Sequence, residues 1–255
     1  MSYLIPRLQQ LMLFQERLGA IRGLVSYVRC NLARGRYTLR TPEFGTQLAL
    51  RPAPSSDIVV YRSVFLHRDY QLPSILNGFR PRTIVDAGAN NGFSTVWFAE
   101  RFPDAAIHAI EPARENYAQI ERNTAGFKNV RRTLGALWHR PGRVVLSNPN
   151  ARHFSFKVTD AHLPDEGVPA VTPEELLQDT PDGRIDLLKI DIEGAERDLL
   201  RAYPELCRRS RVILIETHDR TTPGSTEAVF AALQGCRYNL VPCNETLQIW
   251  NPDVG

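Results

Sequence analysis

The stretch Thr83-Ile-Val-Asp-Ala-Gly-Ala-Asn-Asn-Gly92 decides the fold of this chain. Its first five residues are a short apolar run typical of a buried parallel strand, and the glycine-containing turn after them opens a helix pattern through about Arg101. In an open parallel sheet, ligands bind beyond the carboxyl ends of the strands, at the point where the strand order reverses. The turn therefore predicts both an α/β fold and the place of its ligand site.

From this strand onward, strand and helix patterns alternate as in a parallel sheet with crossover helices. An antiparallel excursion (143–147 with 153–157) and a capping box at Thr172–Glu175 interrupt the alternation. The other predicted strands are 106–110, 130–134, 185–191, 212–216 and a closing hairpin, 238–242 with 246–250, and the other predicted helices are 114–124 and 225–233. We expect a Rossmann-like, doubly wound sheet of seven strands that ends in an antiparallel hairpin.

Composition places the chain among ordinary globular proteins, since 43% of its 255 residues are hydrophobic and 23% are charged. No apolar run approaches the roughly 18 residues of a membrane-spanning helix, and no secretory cleavage site is visible near the N-terminus. The four cysteines form no CxxC pair, so neither a zinc site nor a disulfide framework is indicated. We therefore expect a cytoplasmic protein without a transmembrane segment.

Charge is unevenly distributed along the chain. Residues 1–40 contain seven arginines and one acid, a formal charge of +6, whereas the whole chain carries +3, which leaves −3 for the other 215 residues. A mildly acidic core domain argues against binding to nucleic acid. We divide the chain into an N-terminal helical or irregular extension, 1–56, and a core domain, 57–255.

Apolar residues recur at helical spacing in the extension, with arginines between them. Gly19 and Gly23 interrupt this pattern, so one helix and two helices are both compatible with it. The amphipathic pattern predicts that the helix packs on the protein's own core or on a second copy of the chain. We expect the second arrangement, a homo-oligomer. The alternative is a basic helix, within residues 1–36, that lies on an acidic membrane surface. The apolar positions are Leu4, Leu8, Leu11, Leu18, Ile21, Val25 and Val28.

The glycine pattern after the first core strand separates two classes of nucleotide ligand. A dinucleotide fingerprint, GxGxxG, would need further glycines where Asn90 and Phe93 stand. S-adenosylmethionine (SAM) has no phosphate, so an Asp-x-Gly-x-Asn-x-Gly loop suffices for it. Glu111, at the end of the next strand, is placed to accept hydrogen bonds from both ribose hydroxyls. The alternative is a plain strand–helix turn beside a surface glutamate.

Three segments resemble the signature blocks of FkbM-type methyltransferases: Val85-Asp-Ala-Gly-Ala-Asn-Asn-Gly-Phe-Ser94, Ala109-Ile-Glu-Pro112 and Leu187-Leu-Lys-Ile-Asp-Ile-Glu-Gly-Ala-Glu196. The resemblance runs from about residue 57 to 216. It implies a class I fold and SAM-dependent O-methylation of a sugar or natural-product hydroxyl. The cofactor residues that it implies are Asp86, Gly88, Asn90, Gly92 and Glu111, with Ala136 and Leu137 at the adenine.

Polar residues on the strand predicted at 185–191 are candidates for the chemistry. Lys189 and Asp191 alternate with apolar residues and therefore share one face, and a lysine inside a buried strand is costly unless it is paired. Methyl transfer needs mainly alignment and removal of the acceptor proton. We predict Asp191 as the base, with Lys189 and His218 as alternatives.

Structural roles compete with these catalytic ones. Lys189 would then form an ion pair with Glu193 or Glu216, Glu196 would complement the positive end of its helix, and His218 would be an exposed strand-end residue.

A metal ion is a further alternative. Asp191 with Glu216 resembles the carboxylate pair of Mg²⁺-dependent O-methyltransferases, and magnesium prefers oxygen ligands. Those enzymes usually carry two adjacent acid or amide residues after the strand that corresponds to 212–216, but here Thr217 follows Glu216. The main hypothesis therefore contains no metal.

The sequence as a whole predicts an O-methyltransferase that acts on a hydroxyl of a sugar, a glycolipid or a natural product. N-methylation, SAM binding without catalysis and NAD-dependent oxidoreduction are the alternatives, and the last is disfavoured by Asn90 and Phe93.

Overall fold

The computed structural model describes residues 7–147, 158–161, 163 and 166–252. It divides the chain into two compact units, Met1–Arg68 and Asp69–Gly255. The division falls after Arg68, whereas the sequence pattern placed a boundary after residue 56. We describe each unit by itself.

Two helices open the first unit, so the two-helix alternative is the one observed. Gly19 separates them with a positive φ of 81°. Gly23 lies against the first helix so closely that a Cβ on it would be 2.5 Å from the Cα of Gln15. Leu4 lies outside the described residues. The elements of this unit are α1 (Arg7–Leu18), α2 (Ala20–Leu32), β1 (Tyr37–Arg40), β2 (Gln47–Leu50), α3 (Asp57–Tyr61) and a π-helical turn (Arg62–His67).

Contacts between distant segments explain why residues 57–68 belong to the first unit. The ring of Phe14 stacks on Tyr61 with their centroids 6.2 Å apart, and the Tyr61 hydroxyl donates to the carbonyl of Arg40 at 2.7 Å. The guanidinium of Arg17 donates to the carbonyl of Leu66 at 2.9 Å. The segment after residue 56 is therefore held by α1 and β1.

Strands and helices alternate through most of the second unit. The strands are β3 (Thr83–Ala87), β4 (Ala106–Glu111), β5 (Val130–Leu134), β6 (Ala136–Leu137), β7 (Arg143–Leu146), β8 (Val158–Asp160), β9 (Val168–Val171), β10 (Ile185–Ile190), β11 (Ser210–Glu216), β12 (Asn239–Cys243) and β13 (Thr246–Trp250). The α-helices are α4 (Phe93–Arg101), α5 (Arg114–Asn123), α6 (Pro173–Gln178), α7 (Glu196–Ala202), α8 (Glu205–Arg208) and α9 (Ser225–Ala232).

Seven of these strands form one sheet in the order β12-β13-β11-β10-β3-β4-β5. The strands from β11 to β5 are parallel, and β13 runs antiparallel to β11 and β12. From β3 the chain builds outward through β4 and β5, and it later returns to the other side of β3 with β10 and β11. The strand order therefore reverses between β3 and β10, and the predicted doubly wound sheet with its closing hairpin is confirmed.

A smaller sheet, β6-β9-β7-β8, follows β5 in the chain. Its β7 and β8 pair antiparallel, as expected for the excursion that begins at 143, but the predicted partner 153–157 lies outside the described residues. The predicted capping box is confirmed at α6, where the Thr172 hydroxyl accepts from the amide of Glu175 and the Glu175 carboxylate accepts from that of Thr172. Over the described part of the chain, no helix is both long and apolar enough to cross a bilayer.

The turn after β3 passes very close to the end of β10. Gly88 has a positive φ of 77°, and a Cβ on it would lie 1.8 Å from the carbonyl oxygen of Asp191. The amide of Asp191 donates to the carbonyl of Ala87 at 3.1 Å, which holds the two chain segments together. Glycine is required here because of the neighbouring backbone, in addition to any approach by a ligand.

Gly88→Ala should therefore destabilise the protein strongly. The added methyl needs both a disfavoured φ and a movement of the β10 end, and we expect a loss of at least about 3 kcal/mol. Gly126→Ala is the matched control, because a Cβ there meets nothing within 4 Å. Urea unfolding of both variants and of the wild type measures the effect. Equal unfolding midpoints for the two variants would contradict the close approach.

Candidate active site

A cavity lies at the strand-order reversal, beyond the carboxyl ends of the parallel strands. Five of the predicted cofactor residues line it, together with the predicted base Asp191. Glu193, Asn116 and the small-sheet residue Val158 also line it. The five cofactor residues are Gly88, Asn90, Glu111, Ala136 and Leu137.

Glu111 is the buried carboxylate of this cavity. Its two oxygens accept hydrogen bonds from the amides of Asn90 at 2.9 Å and Ala113 at 3.0 Å, and from the side chain of Asn116 at 3.4 Å. Burial raises the pKa of Glu111 to about 7, although these hydrogen bonds act in the opposite direction. The side chain is therefore held rigidly, and it changes its protonation state near neutral pH. It is not the surface glutamate of the alternative interpretation.

Asp86 and Gly92 do not belong to the described lining of the cavity. Asp86 is fully buried, and its carboxylate accepts from the hydroxyls of Ser94 at 2.8 Å and Thr95 at 2.7 Å. Gly92 takes a positive φ of 82° at the start of α4, and a Cβ there would meet the backbone of Ile120 at 3.0 Å. Both residues support the conformation of the turn from outside the cavity.

Lys189 connects the turn to β10. Its buried ammonium donates to the carbonyl of Gly88 at 2.6 Å and lies 3.3 Å from the carboxylate of Asp86 and 3.6 Å from that of Asp191. The predicted ion-pair partners, Glu193 and Glu216, are therefore wrong: the register of the parallel strands sets Lys189 beside Asp86 instead.

The protonation state of Lys189 follows from these neighbours. Burial by itself lowers the pKa of Lys189, but Tyr70, Asp86 and Asp191 outweigh it and hold the pKa above its ordinary value. A lysine that stays protonated cannot accept the acceptor's proton, which disfavours it as the base.

His218 lies at the centre of a group of carboxylates. Its Nδ1 is 2.9 Å from Glu196, and its Nε2 is 3.4 Å from Glu193, 3.7 Å from Glu216 and 3.9 Å from Asp191. With 14% of its side chain exposed, it is not the exposed residue of the structural alternative. Burial lowers its pKa, but the hydrogen bond to Glu196 and the surrounding acids raise it to about 10. At neutral pH it is an imidazolium.

Glu196 holds the turn that follows β10. Glu196 is fully buried, and besides His218 it accepts from the amides of Ile192 at 3.1 Å and Gly194 at 3.2 Å. It therefore fixes the turn after β10 and orients the imidazole, beyond any effect at the start of α7.

Burial, and then the charge of Asp191, raise the pKa of Glu193 to about 8 and that of Glu216 to about 9. Each of these two carboxyl groups faces His218 Nε2, so their protons and that of the imidazole are shared within one cluster.

The family described as the Methyltransferase FkbM domain matches residues 86–240, more than half of the chain. The chain belongs to this family. The matched region contains the cavity lining from Gly88 to Glu193 and the whole His218 cluster. The protein is therefore a methyltransferase of the FkbM family with a class I, Rossmann-like fold.

Two proteins with similar sequences are named as methyltransferases. Methyltransferase sdnD of Sordaria araneosa is 30% identical over 181 residues, which cover 57% of this chain and 68% of that protein. Methyltransferase 1 of Beauveria bassiana (strain ARSEF 2860) is 26% identical over 171 residues, covering 57% and 67%. Among solved structures, a precorrin-6y C5,15-methyltransferase from Geobacter metallireducens GS-15 is similar with a TM-score of 0.41 and 16% identity, over 72% of this chain and 86% of that one.

The residues that could hold a metal ion differ from the pair that the sequence suggested. Asp191, Glu193 and His218 bring one ligand atom each within 4.8 Å of one another, whereas the sequence pattern pointed to Asp191 and Glu216. An imidazole nitrogen is a poor partner for Mg²⁺, which prefers oxygen. The imidazolium of His218 already supplies a positive charge to the carboxylates. The side chains around His218 therefore do not support a Mg²⁺ site.

Lys189→Met should cost about 3–5 kcal/mol of stability, because it removes one partner of a buried ion pair and leaves Asp86 buried without its cation. Lys128→Met provides the matched control, since Lys128 is exposed and its replacement should change stability by less than about 0.5 kcal/mol. Urea unfolding monitored by circular dichroism measures both. A Lys189→Met variant as stable as the control would show that the ammonium does not hold the turn.

Proposed function

We propose that this FkbM-family methyltransferase binds SAM in the cavity at the strand-order reversal and methylates a hydroxyl group. The acceptor class that we propose is a sugar, a glycolipid or a natural product. The observation that carries the proposal is the shared cavity: a rigid, buried carboxylate, Glu111, and a partly exposed one, Asp191, both belong to its lining.

The cofactor half of the cavity fits SAM better than a dinucleotide. Asn90 and Phe93 stand where a pyrophosphate-binding loop would need glycine. Glu111 accepts three hydrogen bonds from the protein, and a carboxylate has about four acceptor positions on its two oxygens. It can therefore still accept from a ribose hydroxyl. Ala136 and Leu137 belong to the apolar part of the lining and suit an adenine ring.

The acceptor half needs a group that takes one proton. When bound, SAM supplies a methyl group that its sulfonium makes electrophilic. Asp191 lies at the cavity within 4 Å of Lys189 and His218, and these two cations fix its position. The acceptor hydroxyl becomes more acidic as its oxygen forms the new bond, so a carboxylate suffices as the proton acceptor. We assign this role to Asp191.

His218 and the two glutamates beside it are the alternatives for proton transfer. Glu193 lines the cavity, and its raised pKa makes it a stronger base than an ordinary carboxylate once it has lost its proton. His218 must first lose its own proton, which its raised pKa opposes. A role for His218 as the base therefore requires alkaline pH.

The acceptor chemistry is tested by a panel of hydroxyl and amine compounds. Purified protein is incubated with SAM and with monosaccharides, glycolipids, polyketide alcohols or amines, and S-adenosylhomocysteine and methylated product are quantified by mass spectrometry. We expect methylation of a hydroxyl compound and none of its deoxy analogue. Methylation of amines alone would replace the proposal with N-methylation, and SAM binding without any turnover would favour a non-catalytic role.

Glu111→Gln should weaken SAM binding by about 1.5–3 kcal/mol, because it removes the charge from hydrogen bonds to the ribose. In the wild type, affinity should fall as the pH drops through about 7, where Glu111 gains a proton, whereas the variant should lack this step. Calorimetric titration with SAM between pH 6 and pH 8 measures both effects.

Glu121→Gln, at an exposed position of α5, serves as the control and should retain the wild-type affinity and pH dependence. A Glu111→Gln protein that is folded and binds SAM with wild-type affinity would remove Glu111 from the cofactor site.

Asp191→Asn should lower turnover by about 10²–10⁴, with SAM affinity retained, if Asp191 takes the acceptor's proton. Asp104→Asn, at an exposed site before β4, is the matched control and should leave turnover unchanged. Initial rates of S-adenosylhomocysteine formation with the best acceptor from the panel, together with calorimetric SAM binding, separate catalysis from affinity. Near-normal turnover of Asp191→Asn together with an inactive His218→Ala variant would transfer the role to the histidine.

The same assay distinguishes a proton from a metal ion in the His218 cluster. Turnover of the wild type should survive treatment with EDTA. Loss of activity that added Mg²⁺ or another divalent ion restores would identify the carboxylates as metal ligands instead.

A further inference from the structure

The outer face of α2 is an apolar surface that the described residues of the protein leave uncovered. Five aliphatic side chains follow one another at spacings of three, one, three and four residues, which places them in a single stripe along the helix. Their exposed fractions lie between 43% and 80%. The one buried residue of α2 is Gly23, which packs on α1. The stripe consists of Ile21, Leu24, Val25, Val28 and Leu32.

We propose that this stripe, with the arginines beside it, binds the surface of an anionic lipid bilayer. The proposal concerns the first compact unit and does not depend on the reaction. A soluble protein rarely leaves a continuous apolar face of this size to water unless something covers it. Leu8 and Met12 of α1 are exposed as well, at 68% and 59%.

Charge identifies the partner. The unit Met1–Arg68 contains ten arginines, no lysine and three acids, a formal charge of +7. Two of the acids are engaged within the unit: Asp57 with Arg51 at 2.7 Å, and Glu43 with Arg68 at 2.6 Å. The unit as a whole is therefore basic, and the exposed arginines beside the stripe are complementary to anionic lipid headgroups.

Arginine and aliphatic side chains come together in one groove. Ile21 and Val25 of the stripe line it, and so do Arg22 and Arg29 of α2 and Arg40 of β1. All three arginines are exposed. A guanidinium binds phosphate oxygens through two parallel N–H groups, and the adjacent aliphatic side chains can enter the acyl boundary. This combination is that of an amphipathic helix that lies in the plane of a membrane interface.

The same charge disfavours a second copy of the chain as the partner. In a two-fold symmetric contact the same surface faces itself. Two such faces would bring the groove arginines Arg22, Arg29 and Arg40 of each copy towards one another. The sequence pattern favoured packing on the protein itself or in a homo-oligomer, with the membrane as the alternative, and the exposure of the stripe was not known from it.

Flotation of the full-length protein with lipid vesicles tests the proposal. Vesicles of phosphatidylcholine alone are compared with vesicles that also contain phosphatidylglycerol, at low and at high salt. We expect binding only to the anionic vesicles, and its loss at high salt. Ile21→Ser/Leu24→Ser/Val28→Ser and Arg22→Gln/Arg29→Gln should each weaken binding by roughly tenfold or more.

Two controls match these changes in chemistry and exposure. Phe230→Ser replaces an exposed apolar residue of α9, and Arg122→Gln/Arg201→Gln removes two exposed arginines from the second unit. Both should bind like the wild type, and thermal unfolding checks that every variant is folded. Absence of binding to anionic vesicles, or binding that neither test variant weakens, would overturn the proposal. A dimer in sedimentation that the Ile21 triple variant dissolves, without vesicle binding, would show that a second copy covers the stripe.

Discussion

The buried ammonium of Lys189 is the contact on which the active-site end of the sheet depends. It donates to the carbonyl of Gly88 and lies between the carboxylates of Asp86 and Asp191, so one charge joins the turn after β3 to the end of β10. A charge in this position is tolerated only because both carboxylates face it. The same contact holds Asp191 at the cavity rim, where the backbone carbonyl of Asp191 leaves Gly88 no room for a side chain. The fold and the chemistry of the site therefore share one electrostatic constraint.

Most of the main sheet could be predicted from the sequence, because its strands are apolar runs separated by turn residues and helix patterns. The turn after β3, the capping box at Thr172 and the closing hairpin were predicted from residue types with strong local preferences. The sequence did not predict the hairpin of β1 and β2 or the short strands β6 and β9. They have two to four residues each, which is too few for a periodic pattern. The extent of the first compact unit depends on contacts such as Phe14 with Tyr61, between residues far apart in the sequence.

The candidate site was predictable where it follows the strand ends and unpredictable where it depends on register. Glu111, Gly88 and Asn90 line one cavity, and the sequence places them at one edge of the sheet because each follows a parallel strand. The pairing of Lys189 with Asp86 depends on the alignment of β10 with β3, which the apolar pattern does not determine. The grouping of four carboxylates around His218 depends on the turn at Glu193 and Gly194, both with positive φ, and on the buried Glu196. A tight turn of this kind is visible in the sequence only as a glycine among acids.

A crystal structure of the protein with S-adenosylhomocysteine tests the central claim most directly. We expect the ligand to occupy the cavity between β3 and β10, with a ribose hydroxyl on Glu111, its adenine at Ala136 and Leu137, and its sulfur on the side of Asp191. Lys189 should keep its contacts with Gly88, Asp86 and Asp191 in that complex. A ligand bound elsewhere, or one whose ribose does not contact Glu111, would refute the assignment of the cofactor site.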